Sequence, residues 1–447
     1  MDSDSGPVSS YFQMDWAMDY TAGLVARERS GHTALLEGGF LYVWGGYVSI
    51  ADDEVFLPND EIWLYDIESG ICGYVAWVHS SHIKGQQPFP PLLHAGSELG
   101  NLEMVRSWRA AGETHVMRGE VPPPMSGMCG SSLNGEMYVF GGCNEDGHTN
   151  QLYHVNLLDG KYTWRKVMNS SGAPPTPRDK LSCWVYKNRL IYFGGYGDKH
   201  FRQLNNSRSF VVDEALWVEE VFWGWNNEVH VFNPSTASWS EPHTHGLAPA
   251  PRAAHAGATL GSRGYVCGGR VMETRMSDIH CLDLESWTWT EIRPMSAIPM
   301  GRSWHTLTAV SDTTLFLFGG ISVDCAPLSD GWIFDVQAKL WRELEHPHKD
   351  KPRLWHTASL GKDSDVIVFG GSQDDILFVD KGHCNDALVF QTQPYTLLRL
   401  CEDYMGKNPW VLQDQLLWLP RKLKQIIIKR ISFFKPTAKS QEIIHAT

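Results

Sequence analysis

Short apolar runs that end in a pair of glycines recur along the chain. The six runs are LYVWGG, MYVFGG, LIYFGG, GYVCGG, LFLFGG and VIVFGG, with their second glycines at positions 46, 142, 195, 269, 320 and 371. Successive pairs are separated by 96, 53, 74, 51 and 51 residues. A repeat of about fifty residues therefore underlies the chain, with additional residues in the first and third intervals.

A second apolar segment, a turn and a tryptophan follow most of the glycine pairs. LYHVNLLDGKYTW ends at Trp164 in this way, and Trp239, Trp289 and Trp341 close the same pattern. Each repeat thus predicts about four short strands, a sheet too small to bury both of its faces alone, so neighbouring sheets must pack around a common axis. The pattern predicts an all-β fold, a six-bladed β-propeller over residues 27–394, and it resembles the kelch repeat.

A second periodic signal precedes the glycine pairs. Five arginines each lie three residues before a histidine or leucine: Arg29, Arg178, Arg252, Arg302 and Arg353 before His32, Leu181, His255, His305 and His356. Histidines invite a metal interpretation, but one per repeat places them about a blade apart and not in one coordination sphere. We expect each to bond to backbone within its own blade, and we expect no metal and no cofactor.

One repeat departs from the others directly after its glycine pair. The residues at that position are Tyr47, Cys143, Tyr196, Arg270, Ile321 and Ser372. If this position lines the mouth of the central channel, Arg270 projects there, with Arg275 in the loop that follows. The residues between the arginine and histidine positions vary freely, as expected of a site built on a scaffold, and they add Lys180, Ser303, Trp304 and Trp355 as candidate pocket walls.

These cations favour an anionic ligand. They gather in a chain with a formal net charge of −13, and a guanidinium can hold both oxygens of a carboxylate in a forked pair of charge-assisted hydrogen bonds. The alternative is that Arg270 or Arg275 pairs with a nearby acid of the chain, such as Glu273 or Asp278.

Several segments closely resemble one family. GGYVSI, RDKLSCWVYKNRLIYFGGYG, PRAAHA, GGRVMETRM, GRSWHTLT and KPRLWHTA are similar to kelch domain-containing proteins one and two, substrate receptors of cullin-RING ubiquitin ligases, and nearer to protein one. The likeness runs from about Arg27 to Ile431. It implies a propeller that reads the extreme C-terminus of substrates ending in glycine, with Arg270, Arg275 and Ser303 on the terminal carboxylate. The wall residues that it implies are Lys180, Tyr196, Trp225, Trp304, Trp355 and Tyr47, with Ile376 and Leu377 nearby.

The C-terminal region, residues 395–431, carries two short motifs. TLLRLCEDYM begins at Thr396, places Leu397, Leu400 and Cys401 at helical spacing, and resembles the box that docks elongin C. LPRKLKQII, with Leu419, Pro420 and Leu423, resembles a cullin-2 box with the proline in a first helical turn. A cullin-5 box would also begin Leu-Pro, so the cullin stays open. The alternative is a helix that merely covers a propeller edge. A tail, residues 432–447, follows.

Two stretches depart from the repeat. Residues 72–107 lack strand alternation and predict an atypical insertion in blade one, either an irregular surface loop or sequence foreign to the fold. Blade six has no closing tryptophan, so residues 1–26 are expected to complete it.

Composition narrows the remaining function classes. The acidic balance argues against general nucleic-acid binding, no apolar run reaches the roughly 18 residues that span a membrane, and the polar N-terminus resembles no signal peptide. We expect a cytoplasmic or nuclear protein. No activated nucleophile or carboxylate pair stands out, which argues against a propeller enzyme. The family resemblance then implies a non-catalytic receptor with elongins B and C, a cullin, a RING protein and substrates as partners, and the alternative is a plain interaction scaffold.

Overall fold

The structure consists of repeated antiparallel sheets. The computed structural model describes residues 26–50, 53–67, 71–77, 109–110, 115–204, 208–218, 220–376, 381–412, 415–416 and 418–434. The six units contain the strands Thr33–Glu37, Phe40–Trp44, Glu61–Asp66 and Ile71–Trp77; Cys129–Leu133, Glu136–Phe140, Leu152–Asn156 and Thr163–Lys166; Ser182–Tyr186, Arg189–Phe193, Val229–Asn233 and Ser238–Ser240; Ala256–Leu260, Arg263–Cys267, Ile279–Asp283 and Thr288–Ile292; Thr306–Ser311, Thr314–Phe318, Gly331–Asp335 and Leu340–Leu344; Thr357–Leu360, Asp365–Phe369 and Ala387–Gln391. The all-β prediction is confirmed.

Smaller pairings lie between these strands. Short strands after the glycine pairs are Tyr47–Ile50 with Asp53–Phe56, Cys143–Asn144 with Gly147–His148, and Arg270–Val271 with Thr274–Arg275. Arg302–Ser303 pairs with Ile321–Ser322, and Arg178–Asp179, Tyr196–His200, Val221–Asn226 and Phe210–Val218 form a further four-stranded sheet. His245–Gly246 lies parallel to the outer strand of unit four.

The units close into a ring through backbone hydrogen bonds. The first strand of each unit contacts that of the next, and the first strand of unit six contacts that of unit one. One residue per unit donates its N–H to the carbonyl of the equivalent residue in the preceding unit, at 2.8 to 3.1 Å; we call these residues the axial ring: Gly31, Gly127, Lys180, Ala254, Trp304 and Trp355. All six have φ between +51° and +68°, a left-handed conformation that only glycine adopts without strain.

At every glycine pair an added Cβ atom would lie within 3.0 Å of a neighbouring atom, and in unit four these neighbours are two histidines. A Cβ atom on Gly268 would lie 2.7 Å from His305 Cε1, and one on Gly269, which has φ +100°, would lie 2.7 Å from His255 Cβ. Both glycines are therefore required by the close approach of neighbouring units.

The recurring histidines are structural, but their hydroxyl partners lie in the preceding unit. His32 Nε2 lies 3.0 Å from the Thr357 hydroxyl, and His255 Nε2 lies 2.9 Å from the Ser182 hydroxyl. His356 repeats the arrangement with Thr306 at 2.9 Å. The expectation of a backbone bond within the same blade holds for His356, which bonds to the Arg353 backbone, but not for His32 and His255, whose backbone partners lie in the preceding unit. The first strands lie side by side and place these three rings against a neighbour's hydroxyl, a partner that His305 lacks among the described residues.

The side chains of the recurring arginines form hydrogen bonds within their own units. Arg252 donates to the Gly268 carbonyl and to both carboxylate oxygens of Asp278, all at 2.8 Å. Arg302 does the same with Gly319 and Asp330. The acid stands directly before the third strand of its unit, as do Glu228 and Asp386, the partners of Arg178 and Arg353. In unit two Met125 and Gln151 occupy these two positions, so the arginine and its acid are absent together.

The departures from the repeat are partly described. Ile71–Trp77 pairs with Glu61–Asp66, so residues 72–77, which the sequence analysis assigns to the insertion, form the fourth strand of unit one. Arg109–Ala110 and His115–Gly119 lie parallel to that strand, and His115–Gly119 also pairs with Thr163–Lys166, which joins units one and two. Residues 78–108 and 1–25 lie outside the described residues, as therefore does the expected completion of unit six, whose described part has three strands.

Two helices follow the sheets, as predicted. Helix α1 is Leu397–Lys407 and helix α2 is Arg421–Phe434. The helices approach closely at Gly406, where a Cβ would lie 2.9 Å from Arg430 Cβ. Arg399 pairs with Asp363 of unit six and thereby ties α1 to the propeller. None of the described helices is long and apolar enough to cross a membrane.

Candidate functional site

The hairpin after the glycine pair of unit four carries the two predicted arginines. Arg270 and Arg275 are cross-strand partners on its two short strands. Arg275 is buried, with 6% of its surface exposed, whereas the Arg270 side chain is a quarter exposed and donates to the Met272 carbonyl at 2.5 Å. The hairpin thus presents one sheltered and one accessible guanidinium.

Of the acids considered as alternative partners, Glu273 pairs with Arg270, and neither acid pairs with Arg275. Asp278 binds Arg252 instead, and Glu273, which is 93% exposed, lies 3.4 Å from Arg270. Arg275 donates to the Ser303 hydroxyl at 3.1 Å and to the Cys325 sulfur at 3.6 Å. Within the described ranges no carboxylate pairs with Arg275. A buried guanidinium with only neutral partners is suited to receive an anion.

An aromatic group adjoins Ser303. Trp304 and Trp355 lie 5.6 Å apart between ring centroids, and Tyr47 lies 5.4 Å from Trp355. The ammonium of Lys180 stands 5.2 Å from the Trp355 ring and is paired with the buried Asp179. Three members of this group belong to the axial ring, so the strained backbone positions carry the bulky and charged side chains of the site.

A second aromatic pair, Tyr196 and Trp225, is linked to this group through Asp179. Tyr196 and Trp225 are cross-strand partners with ring centroids 5.2 Å apart, and Tyr196 is also the strand partner of Asp179. The Tyr196 hydroxyl donates to Asp213 at 3.0 Å. Burial and then this hydrogen bond raise the pKa of Tyr196, while the positive charge of Arg270 acts in the opposite direction. Tyr196 is therefore neutral and within electrostatic range of Arg270.

The structure thus brings the nine predicted site residues into one continuous group around the axis. Of the two further residues, Ile376 packs with Trp304 and Trp355, and Leu377 lies outside the described residues. Sequence reasoning missed Asp179, Asp213 and Cys325. Asp179 stands in the variable pair beside Lys180 and was visible there, whereas the strand that carries Asp213 and the turn that carries Cys325 have no counterpart at a fixed spacing.

Helix α1 has its apolar side outward. Thr396 caps the helix, accepting the Arg399 N–H at 3.2 Å. Leu397 is 77% exposed and Leu400 51% exposed, and Cys401 on the same side is also exposed. The residues that α1 buries are Glu402 and Gly406. An amphipathic helix normally buries its apolar side, so the interpretation of α1 as a cover for the propeller edge does not account for this orientation.

The second motif lies around the start of α2. Leu419 and Leu423 are half-buried and Pro420 is exposed. Pro420 accepts the Lys424 N–H at 2.9 Å, so it precedes the first helical turn and does not lie inside it.

In the described part of the chain, no three His, Cys, Asp or Glu side chains lie close enough together to hold a metal ion. The central channel, with a cavity of about 260 Å³, is lined by the recurring histidines and hydroxyls. Burial, and next the adjacent Arg252, lower the pKa of His255 to about 3, and burial with Arg353 does the same for His356. Such neutral, hydrogen-bonded rings serve packing.

Comparison with known proteins agrees with this architecture. A family model described as the KLHDC2/KLHL20/DRC7 Kelch-repeats domain matches residues 102–320. Kelch domain-containing protein 1 from Mus musculus is 51% identical over 420 residues, 93% of each chain, and that from Homo sapiens is 50% identical over 414 residues, 92% of each chain. Kelch domain-containing protein 2 from Homo sapiens is 39% identical over 399 residues, 86% of this chain and 87% of its own. Together these similarities support a protein-binding role for the kelch repeats, and the chain belongs to the family of Kelch domain-containing protein 1.

Proposed function

We propose that this protein is the substrate-recognition subunit of a cullin-RING ubiquitin ligase and that it binds the extreme C-terminus of substrates ending in glycine. The observation that carries the proposal is Arg275, a buried guanidinium with a hydroxyl and a thiol as its side-chain partners. The protein itself is non-catalytic in this proposal, and its ligase partners supply the chemistry.

A terminal carboxylate suits this position. It supplies the negative charge that the described surroundings of Arg275 lack, and it can accept from Arg275, Arg270 and the Ser303 hydroxyl together. Each charge-assisted hydrogen bond contributes about 1.5–3 kcal/mol. The backbone of an internal peptide segment offers only neutral carbonyls, so for recognition of the main chain the arrangement favours a chain end over a loop.

The aromatic group explains a preference for glycine. Trp304, Trp355 and Tyr47 contact one another next to Ser303, and in this proposal they form the walls of the approach to the arginines. A residue without Cβ passes close to such walls, and glycine also adopts backbone conformations that other residues resist. In this proposal Lys180, above Trp355, donates a hydrogen bond to a backbone carbonyl of the same peptide.

The outward apolar side of α1 supports the ligase half of the proposal. Leu397, Leu400 and Cys401 form an exposed apolar stripe at helical spacing, and exposed apolar stripes of this kind mark protein interfaces. We assign this side to elongin C, with elongin B and a cullin-2 or cullin-5 RING complex recruited through it and through Leu419, Pro420 and Leu423.

Peptide binding tests the first half. Fluorescence polarisation of a peptide ending in Gly-Gly is compared with its C-terminal amide, using the wild type, Arg270→Ala and the control Arg293→Ala, whose side chain is 83% exposed and pairs with Glu291. We expect amidation and Arg270→Ala each to weaken binding by about ten- to hundredfold, since each removes a charge-assisted hydrogen bond. Equal binding of acid and amide would instead identify an interaction scaffold without recognition of chain ends.

Co-purification tests the second half. Leu400→Asp is compared with Leu247→Asp, because both leucines are exposed and only Leu400 lies on α1. We expect Leu400→Asp to lose elongins B and C and Leu247→Asp to retain them. If both variants retain the elongins, α1 is not their docking site.

A further inference from the structure

Cys325 lies beside the carboxylate site, in the turn that follows the glycine pair of unit five. Its N–H donates to the Ser322 carbonyl at 3.1 Å, and the Ser322 N–H in turn donates to the Ala326 carbonyl at 3.0 Å. This turn holds Cys325 at φ +59° and leaves the residue exposed. Its sulfur lies 3.6 Å from Arg275 Nη1. An accessible thiol thus touches the guanidinium to which we assign the substrate carboxylate.

The other described cysteines have different surroundings. Cys143 follows the glycine pair of unit two, but burial and then the Asp179 carboxylate raise its pKa to about 11, which keeps that thiol protonated. Cys401 is exposed on α1. A cation beside a thiol favours the thiolate, the form that reacts with oxidants. Arg275 is more than nine-tenths buried and directs Nη1 at the Cys325 sulfur.

We propose that Cys325 is a redox-sensitive modification site whose oxidation by a hydroperoxide closes the carboxylate site. The Cys325 thiolate attacks one oxygen of hydrogen peroxide, an S–O bond forms as the O–O bond breaks, and the departing hydroxide takes a proton to become water. Sulfur is oxidised by two electrons to the sulfenic acid and the peroxide is reduced. A second equivalent yields the sulfinate, which is anionic.

The oxidised side chain would then occupy the place of the ligand. A sulfinate or sulfenate oxygen accepts a charge-assisted hydrogen bond from Arg275, which is stronger than the thiol contact. The substrate carboxylate must displace it or bind with fewer partners. This consequence rests on the proposed function, and oxidation is expected to weaken binding of a Gly-Gly peptide by about tenfold or more, as for loss of one charge-assisted hydrogen bond.

The chemical half is tested on the full chain without any peptide. Protein treated with hydrogen peroxide is trapped with dimedone, and labelling of Cys325, Cys143 and Cys401 is quantified by peptide mass spectrometry in the wild type and in Arg275→Lys. We expect Cys325 to label fastest in the wild type and more slowly in the variant. Labelling of Cys325 no faster than Cys401 would overturn the proposal.

The binding half compares each protein with itself. The affinity for a Gly-Gly peptide is measured before and after peroxide for the wild type and for Cys325→Ser, with thermal melting to verify that both are folded. The affinity of the wild type should fall after peroxide treatment. For Cys325→Ser, the ratio of the affinities before and after peroxide should stay near one. An unchanged wild-type affinity, with Cys325 shown to be oxidised, overturns the inference and leaves the proposed function intact. If the reduced wild type binds no peptide, the proposed function fails. The labelling experiment then tests by itself whether Cys325 is a redox-sensitive site.

Discussion

The buried histidines of the channel should make the fold sensitive to mild acid, and His255 provides the sharpest test. Burial, and next Arg252, lower its pKa to about 3 in the folded protein, against about 6.5 in an unfolded chain. A histidine whose pKa is lowered on folding stabilises the fold above pH 6.5, and this contribution is lost as pH falls towards 3. Between pH 7 and pH 5 the folded state stays neutral while the unfolded state gains a proton. The loss is about 2 kcal/mol for each such histidine.

The measurement is urea unfolding at pH 7 and pH 5 for the wild type and His255→Gln, followed by tryptophan fluorescence. The difference between the two pH values should be about 2 kcal/mol smaller in the variant. Other titrating groups cancel in this comparison, because they are shared by both proteins. His243→Gln, at an exposed histidine, controls for the loss of a histidine as such. The same pH difference in the wild type and His255→Gln would refute the assignment of His255 as a neutral packing residue.

Three further predictions concern stability. Arg302→Met should lower the free energy of unfolding by about 3–5 kcal/mol, because it leaves Asp330 without its bidentate partner; urea titration measures this, and a loss below about 1 kcal/mol would contradict it. Ala256→Ser supplies His305 with the hydroxyl that its counterparts have and should raise the free energy of unfolding, measured by urea titration, by about 0.5–1.5 kcal/mol. Thr396→Ala removes the cap of α1 and should speed amide hydrogen exchange there, a cost of about 1 kcal/mol, with the propeller amides unchanged.

The strand units were predictable because their glycines are sterically forced. Gly268 and Gly269 have no room for a side chain between His255 and His305, so the same dipeptide recurs wherever two units meet. The arginine partners were also within reach of the sequence. An acid directly before the third strand accompanies the arginine, and unit two lacks both.

Other features depend on tertiary contacts that a linear pattern does not contain. Spacing predicts that Leu397, Leu400 and Cys401 share one side of a helix, but tertiary contacts such as the pairing of Arg399 with Asp363 fix that side outward. Similarly, no repeat position predicts the contact of Cys325 with Arg275, because the two residues belong to different units and their distance depends on how those units pack. The hydroxyl partners of the histidines were missed for the same reason.

The axial ring separates the shape of the backbone from the choice of side chain. Its hydrogen bonds join main-chain atoms alone, and the left-handed conformation is kept by glycine, alanine, lysine and tryptophan alike. Trp304 and Trp355 each bear a strain of about 1–2 kcal/mol that glycine at these positions would relieve. Substitution towards glycine would relieve this strain, but it would remove the packing of Trp304 with the buried Ile321 and Leu354, a larger loss, and it would erase the recognition surface. The backbone of the axial ring thus stays constant while point mutations can change its side chains and therefore its ligand preference. The stability of the repeats limits how many strained, bulky residues the ring can carry.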